Sequence, residues 1–303
     1  MEKKIILFSS LCKDKTILEL TLPSWVNQTQ VNYHLDILVY DDNKQQDAST
    51  YTSTWVKSHD NVRLLPAIHL DTPAYTDHNW NLKSVDRIIA IKNAAIAYAL
   101  KHDYDALFLV DADLVLHPQT LHHLDSCQKD FVFEVFWTVF TDQLFAKPNC
   151  WDVHSWDYYE ANSILKLKKP GTYQVNAGGA CTLLSKTALL KGLNFSRINN
   201  LPYKGEDRHI CTRAEVLEIP IYIDTHFPAF HVFKKSLVKE AKKWIASNYK
   251  PSFFDTWLDE SWKTHVIKYM TPEVVVVPKN KMDKIKRGLY RARRAYINYM
   301  RFN

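Results

Sequence analysis

Residues 106–113 read Ala-Leu-Phe-Leu-Val-Asp-Ala-Asp, so an apolar run ends directly in two aspartates. An apolar run of this length predicts a buried strand of a parallel sheet. Ligands of such sheets bind just beyond the carboxyl ends of the strands. Carboxylates one residue apart at that point suit a divalent cation that also holds a diphosphate. Asp111 and Asp113 are therefore candidate ligands, although aspartate pairs are also common in loops and helix caps.

The chain around this strand alternates strand and helix signals. The predicted strands are residues 5–9, 35–40, 62–65, 106–110, 173–184 and 221–224, and the predicted helices are residues 16–26, 85–100 and a segment opening at 205–207. Alternation of this kind predicts right-handed crossovers between mostly parallel strands. The fold class that follows is α/β, with a nucleotide-binding-like, mostly parallel central sheet flanked by helices.

The composition fits one substantial domain with an appendage. The chain has 303 residues and a net charge of +6, but residues 279–303 hold nine Lys or Arg and one acid, so the rest of the chain sums to about −2. We therefore predict one domain at residues 1–235 and a basic helical C-terminal extension at residues 236–303.

The cysteines and the basic tail bear on location. Five cysteines are scattered without a Cys-x-x-Cys pair, which favours reduced thiols in a cytoplasmic protein over disulfides or a zinc site. No apolar run is long enough to span a membrane. Residues 281–303 have the pattern of a basic amphipathic helix, which could lie on the anionic inner face of a membrane or dock on the domain or on another subunit. Nucleic-acid binding is not expected, because no recognised module accompanies the charge.

Charged residues follow the second predicted strand and lie on the helix before the strand at 106–110. Asp41 and Asp42 could accept hydrogen bonds from a ribose or a base edge, as acids after a second strand do in dinucleotide folds. An Asx turn that closes the strand is the alternative for either residue. Arg87 and Lys92 could approach a diphosphate or a base, or they could be solvated helix charges.

The segment Gly205-Glu206-Asp207 is predicted to open a helix. Acids in the first turn are favoured by the helix dipole, and capping alone would explain one of them. A carboxylate held there beside a cleft could also act as a general base, and the dipole would keep it ionised. Residues 178–179 are both glycine, which would let the backbone approach a ligand closely.

A late histidine completes the set of candidates. His231 stands among apolar residues, where a hydrogen-bonded core histidine is the common outcome. Beside an Asp-x-Asp site it could instead be a third metal ligand, and His226 is its nearest competitor for that role.

The order of these features resembles the GT-A glycosyltransferases, and more narrowly a bacterial branch of glycosyltransferase family two. The resemblance covers roughly residues 5–234. Its most specific parts are Gly-Ala-Cys-Thr-Leu at 179–183, Gly-Glu-Asp-Arg-His-Ile-Cys-Thr-Arg-Ala at 205–214, and Tyr-Ile-Asp-Thr-His-Phe-Pro-Ala-Phe-His at 222–231.

The resemblance implies that residues 1–235 are a GT-A catalytic domain that binds a nucleotide-diphosphate sugar. It implies that Mn²⁺ or Mg²⁺ is held by Asp113 and His231 together with Asp111, which would face the ribose or the metal. The residues expected to contact the donor are Asp41, Asp42, Arg87, Lys92, Asp111 and Ala112. The donor is most often a UDP-sugar in such proteins, and the acceptor would be a glycan, a glycolipid or a protein.

The resemblance also implies a mechanism. Asp207 would be the catalytic base, with Glu206 beside it as acceptor holder or alternative base. The deprotonated acceptor hydroxyl would attack the anomeric carbon and invert it, although retaining GT-A enzymes share these motifs.

Two other functions stay open. A nucleotidyltransferase would share the sheet and the metal, but residues 9–14 lack the glycine of a phosphate loop. A catalytically inactive glycan-binding protein is the other.

Overall fold

The computed structural model describes residues 2–66, 68, 70, 82–138, 146–151, 166–201 and 205–255. The basic segment 279–303 lies outside these residues, so the predicted amphipathic helix and its membrane or subunit contact stay predictions. None of the helices within the described ranges is long and apolar enough to cross a bilayer.

The elements follow one another in an α/β order. The strands are β1 Lys3–Leu11, β2 Tyr33–Asp41, β3 Val62–Leu64, β4 Ala106–Val110, β5 Leu114–Val115, β6 Phe131–Thr138, β7 Lys147–Pro148, β8 Cys150–Trp151, β9 Thr172–Val175, β10 Ala177–Gly178, β11 Cys181–Ser185 and β12 Ile221–His231. The helices are α1 Lys15–Val26, α2 Gln46–Lys57, α3 Leu82–Lys101, α4 Thr120–Ser126, α5 Lys186–Leu190, α6 Asp207–Val216 and α7 Val238–Ala246, with a 3-10 turn at Lys235–Leu237.

The main sheet has the strand order β3-β2-β1-β4-β11-β6-β12-β5. Strands β3, β2, β1 and β4 are parallel to one another, and β12 is parallel to β6. Strand β11 runs antiparallel between β4 and β6, and β5 and β9 pair antiparallel with β12. The prediction of an α/β fold with mostly parallel central strands is therefore confirmed, and the sheet as a whole is mixed.

Two hydrophobic cores cover the two faces of this sheet. Alternate residues of β1 divide between them, because successive side chains of a strand point to opposite faces: Ile6 and Phe8 join one core, and Ile5 and Leu7 join the other. Trp244 of α7 is 1% exposed and belongs to the same core as Ile6. The first helix after residue 235 thus packs on the main domain, and the domain boundary at that residue stays a prediction.

The sheet brings distant parts of the chain to the carboxyl ends of β1 and β4. Strand β4 ends at Val110, as predicted, so Asp111 follows it directly. Strand β12 continues to His231, well past the predicted end at residue 224, with a register irregularity between Asp224 and Ala229. His231 pairs with Leu114 of β5, which places it beside Asp113.

Candidate functional site

A cleft of about 430 Å³ lies at the carboxyl ends of β1 and β4. It collects charged side chains that are far apart in the sequence: Lys13, Asp14, Asp42, Lys44, Arg87, Lys92, Asp111, Asp113, Glu206, Lys234 and Lys235. Most of the candidate residues predicted from the sequence line it. Asp207 and His231 do not line it, but each lies within 3.4 Å of a residue that does.

Asp113 is a buried, doubly paired carboxylate. Its Oδ2 atom lies 2.7 Å from Nζ of Lys13 and 3.3 Å from Nε2 of His231. Burial alone would raise the pKa of Asp113, but the charges of His231 and Lys13 hold it well below the ordinary value. The other ring nitrogen of His231, Nδ1, is 2.7 Å from the Thr138 hydroxyl, which fixes the orientation of the ring. Asp113 is therefore ionised and anchored.

Lys13 lines the cleft and pairs with Asp113, but it was not among the candidate residues predicted from the sequence. Its ammonium group lies where a metal ion bound to Asp113 would also be attracted. The available signal was its position in the polar segment directly after β1, which opens toward the same edge of the sheet as β4.

Asp111 has different surroundings from Asp113. Water reaches it from the cleft, but protein atoms surround its other sides. This partial loss of water raises the pKa of Asp111 to about 7, Lys92 opposes the shift, and Asp113 adds to it. The intervening Ala112 is 3% exposed and lines the cleft without crowding it. The pKa of Asp111 is thus raised mainly by the loss of water, and a cation bound beside it would favour its ionised form.

Lys92 joins α3 to the start of α6. Its Nζ atom is 2.6 Å from Oε1 of Glu206 and 3.4 Å from Oδ1 of Asp207. It also lies 5.0 Å from the centre of the Phe195 ring. Lys92 is 6% exposed and Glu206 is 4% exposed, so the alternative of a solvated helix charge is wrong for Lys92. Burial alone would lower the pKa of Lys92, but the negative charges of Asp207 and Glu206 outweigh this effect and hold the pKa above its ordinary value.

The acidic residues at the start of α6 bind Lys92, and the N-cap side chain does not cap the helix. Glu206 occupies the N-cap position but makes no side-chain capping hydrogen bond, because its carboxylate binds Lys92. Burial raises the pKa of Asp207 above the ordinary value, with Lys92 lowering it and Glu206 raising it. The dipole of α6 therefore does not outweigh the loss of water at this carboxyl group.

The two glycines at 178–179 make room for protein atoms. A Cβ atom on Gly179 would lie 2.6 Å from Cγ of Asp207, and one on Gly178 would lie 1.9 Å from Cζ of Phe133. The prediction that they let the backbone approach a ligand stays a prediction. Their missing side chains let Asp207 and Phe133 pack directly on the backbone.

Asp41 and Asp42 have separate roles. Asp42 accepts two hydrogen bonds from Arg87, from Nε to Oδ2 at 3.1 Å and from Nη2 to Oδ1, and both residues line the cleft. Asp41 accepts hydrogen bonds from the backbone and side chain of Asn43, at 3.1 and 2.8 Å, and from Ser49. Asp41 thus forms the Asx turn that was the alternative interpretation, and Asp42 is the one of the pair that lines the cleft.

The metal candidates do not all converge. His226 lies against Asp224 with an Nδ1–Oδ1 distance of 3.0 Å, so His231 is the histidine beside Asp113. Within the described ranges, the group of three or more His, Cys or acidic residues whose ligand atoms all lie within 4.8 Å of one another is His123, Cys127 and Asp224, so Asp111, Asp113 and His231 do not meet that distance as a set. Two carboxylates and an imidazole still form a donor set suited to Mn²⁺ or Mg²⁺.

No protein-family model matches the chain, and no curated protein sequence is significantly similar to it. The resemblance to glycosyltransferase family two therefore stays a prediction that rests on the motifs.

Proposed function

We propose that this protein is a metal-dependent glycosyltransferase that transfers a sugar from a nucleotide-diphosphate sugar, with a UDP-sugar as the expected donor, to an acceptor hydroxyl. One observation carries the proposal. The acidic pair at the end of β4 lines the cleft, and Lys92, which also lines it, lies 3.4 Å from the Asp207 carboxylate at the start of α6.

The donor is assigned to the end of the cleft lined by Asp42 and Arg87. Asp42 offers carboxylate oxygens to a ribose or a base edge, and the fork of Arg87 holds it in place. Lys13, Lys234 and Lys235 line the cleft close to the acidic pair and provide positive charge for a diphosphate. Base recognition and diphosphate binding are thus given to different parts of one cleft.

Asp111, Asp113 and His231 are the residues that would hold Mn²⁺ or Mg²⁺. The two carboxyl groups at the end of β4, with the imidazole of His231 3.3 Å from Asp113, support a cation at this place. When bound, such an ion supplies Lewis-acid stabilisation to the leaving diphosphate. Lys13, which pairs with Asp113 at 2.7 Å, is available for the same diphosphate oxygens.

Asp207 is assigned the role of general base. Its carboxylate accepts the proton of the acceptor hydroxyl, whose oxygen forms a bond to the anomeric carbon as the bond from that carbon to the diphosphate breaks. A single displacement of this kind inverts the anomeric centre. The raised pKa of Asp207 makes it a stronger base than an ordinary aspartate while it stays partly ionised near neutral pH.

Lys92 and Glu206 are positioning residues in this proposal. Lys92 holds the Asp207 carboxylate from one side, and the Gly179 backbone limits it on the other. Glu206 is buried against Lys92 and fixes the ammonium group, so it is assigned no contact with the acceptor. This arrangement leaves Asp207, whose side chain is 28% exposed, as the base that an acceptor can reach.

The test is a donor-hydrolysis and transfer screen with UDP-, GDP- and CMP-sugars in the presence of Mn²⁺, Mg²⁺ or EDTA. We expect metal-dependent nucleotide release from one donor, lost in both Asp113→Asn and Asp207→Asn. Asp41→Asn is the matched control, because Asp41 belongs to a turn outside the cleft. Asp113→Asn and Asp207→Asn keep the shape of the side chain and remove its charge, so both variants are expected to fold.

Three results would change the proposal. Release that persists in EDTA would remove the metal from it. Release lost in Asp113→Asn but kept in Asp207→Asn would move the base elsewhere and favour a retaining mechanism. Donor binding by calorimetry without any turnover would favour the inactive glycan-binding alternative.

A further inference from the structure

A second cluster of metal-binding side chains lies away from the cleft, between α4, β9 and β12. We name it the α4–β12 cluster, and its members are His123, Cys127, Thr172, Asp224 and His226. His123 lies in the short helix α4 and Cys127 follows its last residue as the C-cap, four residues later and on the same side. Asp224 precedes His231 by seven residues in β12, a distance of roughly 20 Å along a strand.

The ligand atoms of this cluster are spaced as they are around a tetrahedral zinc ion. Oδ2 of Asp224 is 3.4 Å from Nε2 of His123 and 3.7 Å from Sγ of Cys127. Zinc bonds of about 2.0–2.3 Å to nitrogen, oxygen and sulfur place tetrahedral neighbours about 3.3–3.7 Å apart. These two separations match such edges, and the ligand atoms of His123 and Cys127 lie within 4.8 Å of each other. The set of nitrogen, sulfur and oxygen donors is one that Zn²⁺ accepts.

The two histidines leave a lone pair directed at Asp224. Nδ1 of His226 is 3.0 Å from Nε2 of His123 and 3.0 and 3.1 Å from the two oxygens of Asp224, so one proton on Nδ1 can be shared between them. Nε2 of His123, which is 3.4 Å from Oδ2 of Asp224, then turns its lone pair toward the carboxylate. A cation between these two atoms would be bound by both of them.

A second observation points to a cation at the same place. Glu134 of β6 is fully buried, and neither of its carboxylate oxygens has a hydrogen-bond partner among the residues that the structure describes. Burial and the charge of Asp224 raise the pKa of Glu134 well above its ordinary value, although the backbone N–H groups of Phe227 and Val135 oppose the shift. Glu134 pairs in register with Asp224 on the adjacent parallel strand, so both side chains project from the same face of the sheet. A cation bound by Asp224 would offset the burial of these two carboxyl groups.

We propose that His123, Cys127 and Asp224 supply three ligands of a zinc site, and that the buried Glu134, which pairs with Asp224 in the sheet, adds negative charge beside it. Binding forms the zinc–sulfur bond while the Cys127 thiol gives its proton to solvent. His226 donates from Nδ1 to Asp224 and orients it, as outer residues of zinc sites do. The site ties the seven-residue helix α4 to the sheet. It is independent of the proposed transferase activity.

The test uses Co²⁺ as a spectroscopic substitute for Zn²⁺ on EDTA-treated full-length protein. We expect one equivalent of Co²⁺ to give the visible bands of a tetrahedral ion and the near-ultraviolet band of a cobalt–thiolate bond, and one equivalent of Zn²⁺ to abolish both. Cys127→Ser should lose the thiolate band and Cys12→Ser should keep it, which excludes the cysteine that lines the cleft. The thiolate band appearing through Cys12, or not at all, would overturn the proposal.

A stability measurement covers the case in which Cys127→Ser does not fold. Saturating Zn²⁺ should raise Tm of the wild-type protein by about 5 °C or more. His123→Gln should lose most of that rise. His122→Gln is the matched control, since His122 is the neighbouring histidine of α4 and is not a member of the cluster; it should keep the rise. Asp113→Asn should keep it too, whatever becomes of the transferase activity. Equal responses of the two histidine variants to Zn²⁺ would refute the site.

Discussion

Replacement of Gly179 by alanine should disable the proposed base without touching any donor ligand. The new Cβ atom would lie 2.6 Å from Cγ and 2.7 and 2.8 Å from the oxygens of Asp207. Ordinary carbon–carbon contacts begin at about 3.5 Å, so one of the two groups must move by about 1 Å. The Gly179 carbonyl is held by the Asn149 side chain at 2.8 Å, and the next carbonyl, of Ala180, accepts from the Asp111 backbone at 2.9 Å. The Asp207 carboxylate is therefore the group expected to move.

A displacement of about 1 Å at a reacting group costs roughly 100-fold in rate, so kcat of Gly179→Ala should fall by about that factor while the donor Kd stays unchanged. Turnover and donor calorimetry on the same preparation measure both. Gly171→Ala is the control, because its Cβ would lie 2.7 Å from the Tyr173 ring, a comparable overlap with a half-buried side chain that can swing away. A kcat for Gly179→Ala within about threefold of the control would refute the role of Asp207.

Three further predictions follow from the same contacts. Lys92→Met leaves Glu206 buried without its cation and should lower the free energy of unfolding by about 3–5 kcal/mol in chemical denaturation, with Lys92→Met/Glu206→Gln recovering part of the loss. Asp42→Ala should weaken donor binding roughly tenfold in calorimetry, whereas Asp41→Ala should change it less than about twofold. The acid limb of the pH–kcat profile should lie above about 4, the pKa of a free aspartate, because the pKa of Asp207 is raised and the base must be deprotonated; a limb at or below that pH would contradict the assignment.

Strands β1 to β4 were predictable from the sequence because burial on both faces requires continuous apolar runs. Strand β6, which is buried throughout, was not predicted, and the segment 173–184 forms three strands instead of one. Strand β4 was predicted to the residue, and with it the position of Asp111. Strand β12 was predicted too short, because the polar and proline-containing segment 224–228 breaks the apolar run where the strand pairing changes register. His231 was still found, since its candidacy rested on its late position and not on the strand end.

The pairing of side chains within the site could not be predicted in the same way. Lys92 and Glu206 are 114 residues apart, and nothing in the sequence of either segment indicates that α3 and the start of α6 are in contact. The role of Gly179 was likewise hidden, because a glycine that admits a ligand and one that admits a carboxylate have the same local sequence. Contacts of this kind arise from the order of strands in the sheet, which periodicity does not encode.

The same limit explains why a zinc site was not expected. Zinc motifs are recognised by ligands close together in sequence, whereas the α4–β12 cluster joins His123 of α4 and Cys127 at its C-terminal end to Asp224, about 100 residues later.

Strand β12 carries both proposed sites, with Asp224 near its start and His231 at its end. Between them the ladder is interrupted, since Asp224 pairs with Glu134 but Ala229 pairs with Phe136. An interrupted ladder transmits a shift poorly because the extra residues absorb it. The zinc site is therefore expected to act on the stability of the sheet edge, and the cleft at the other end of the strand to keep its geometry when the metal is removed.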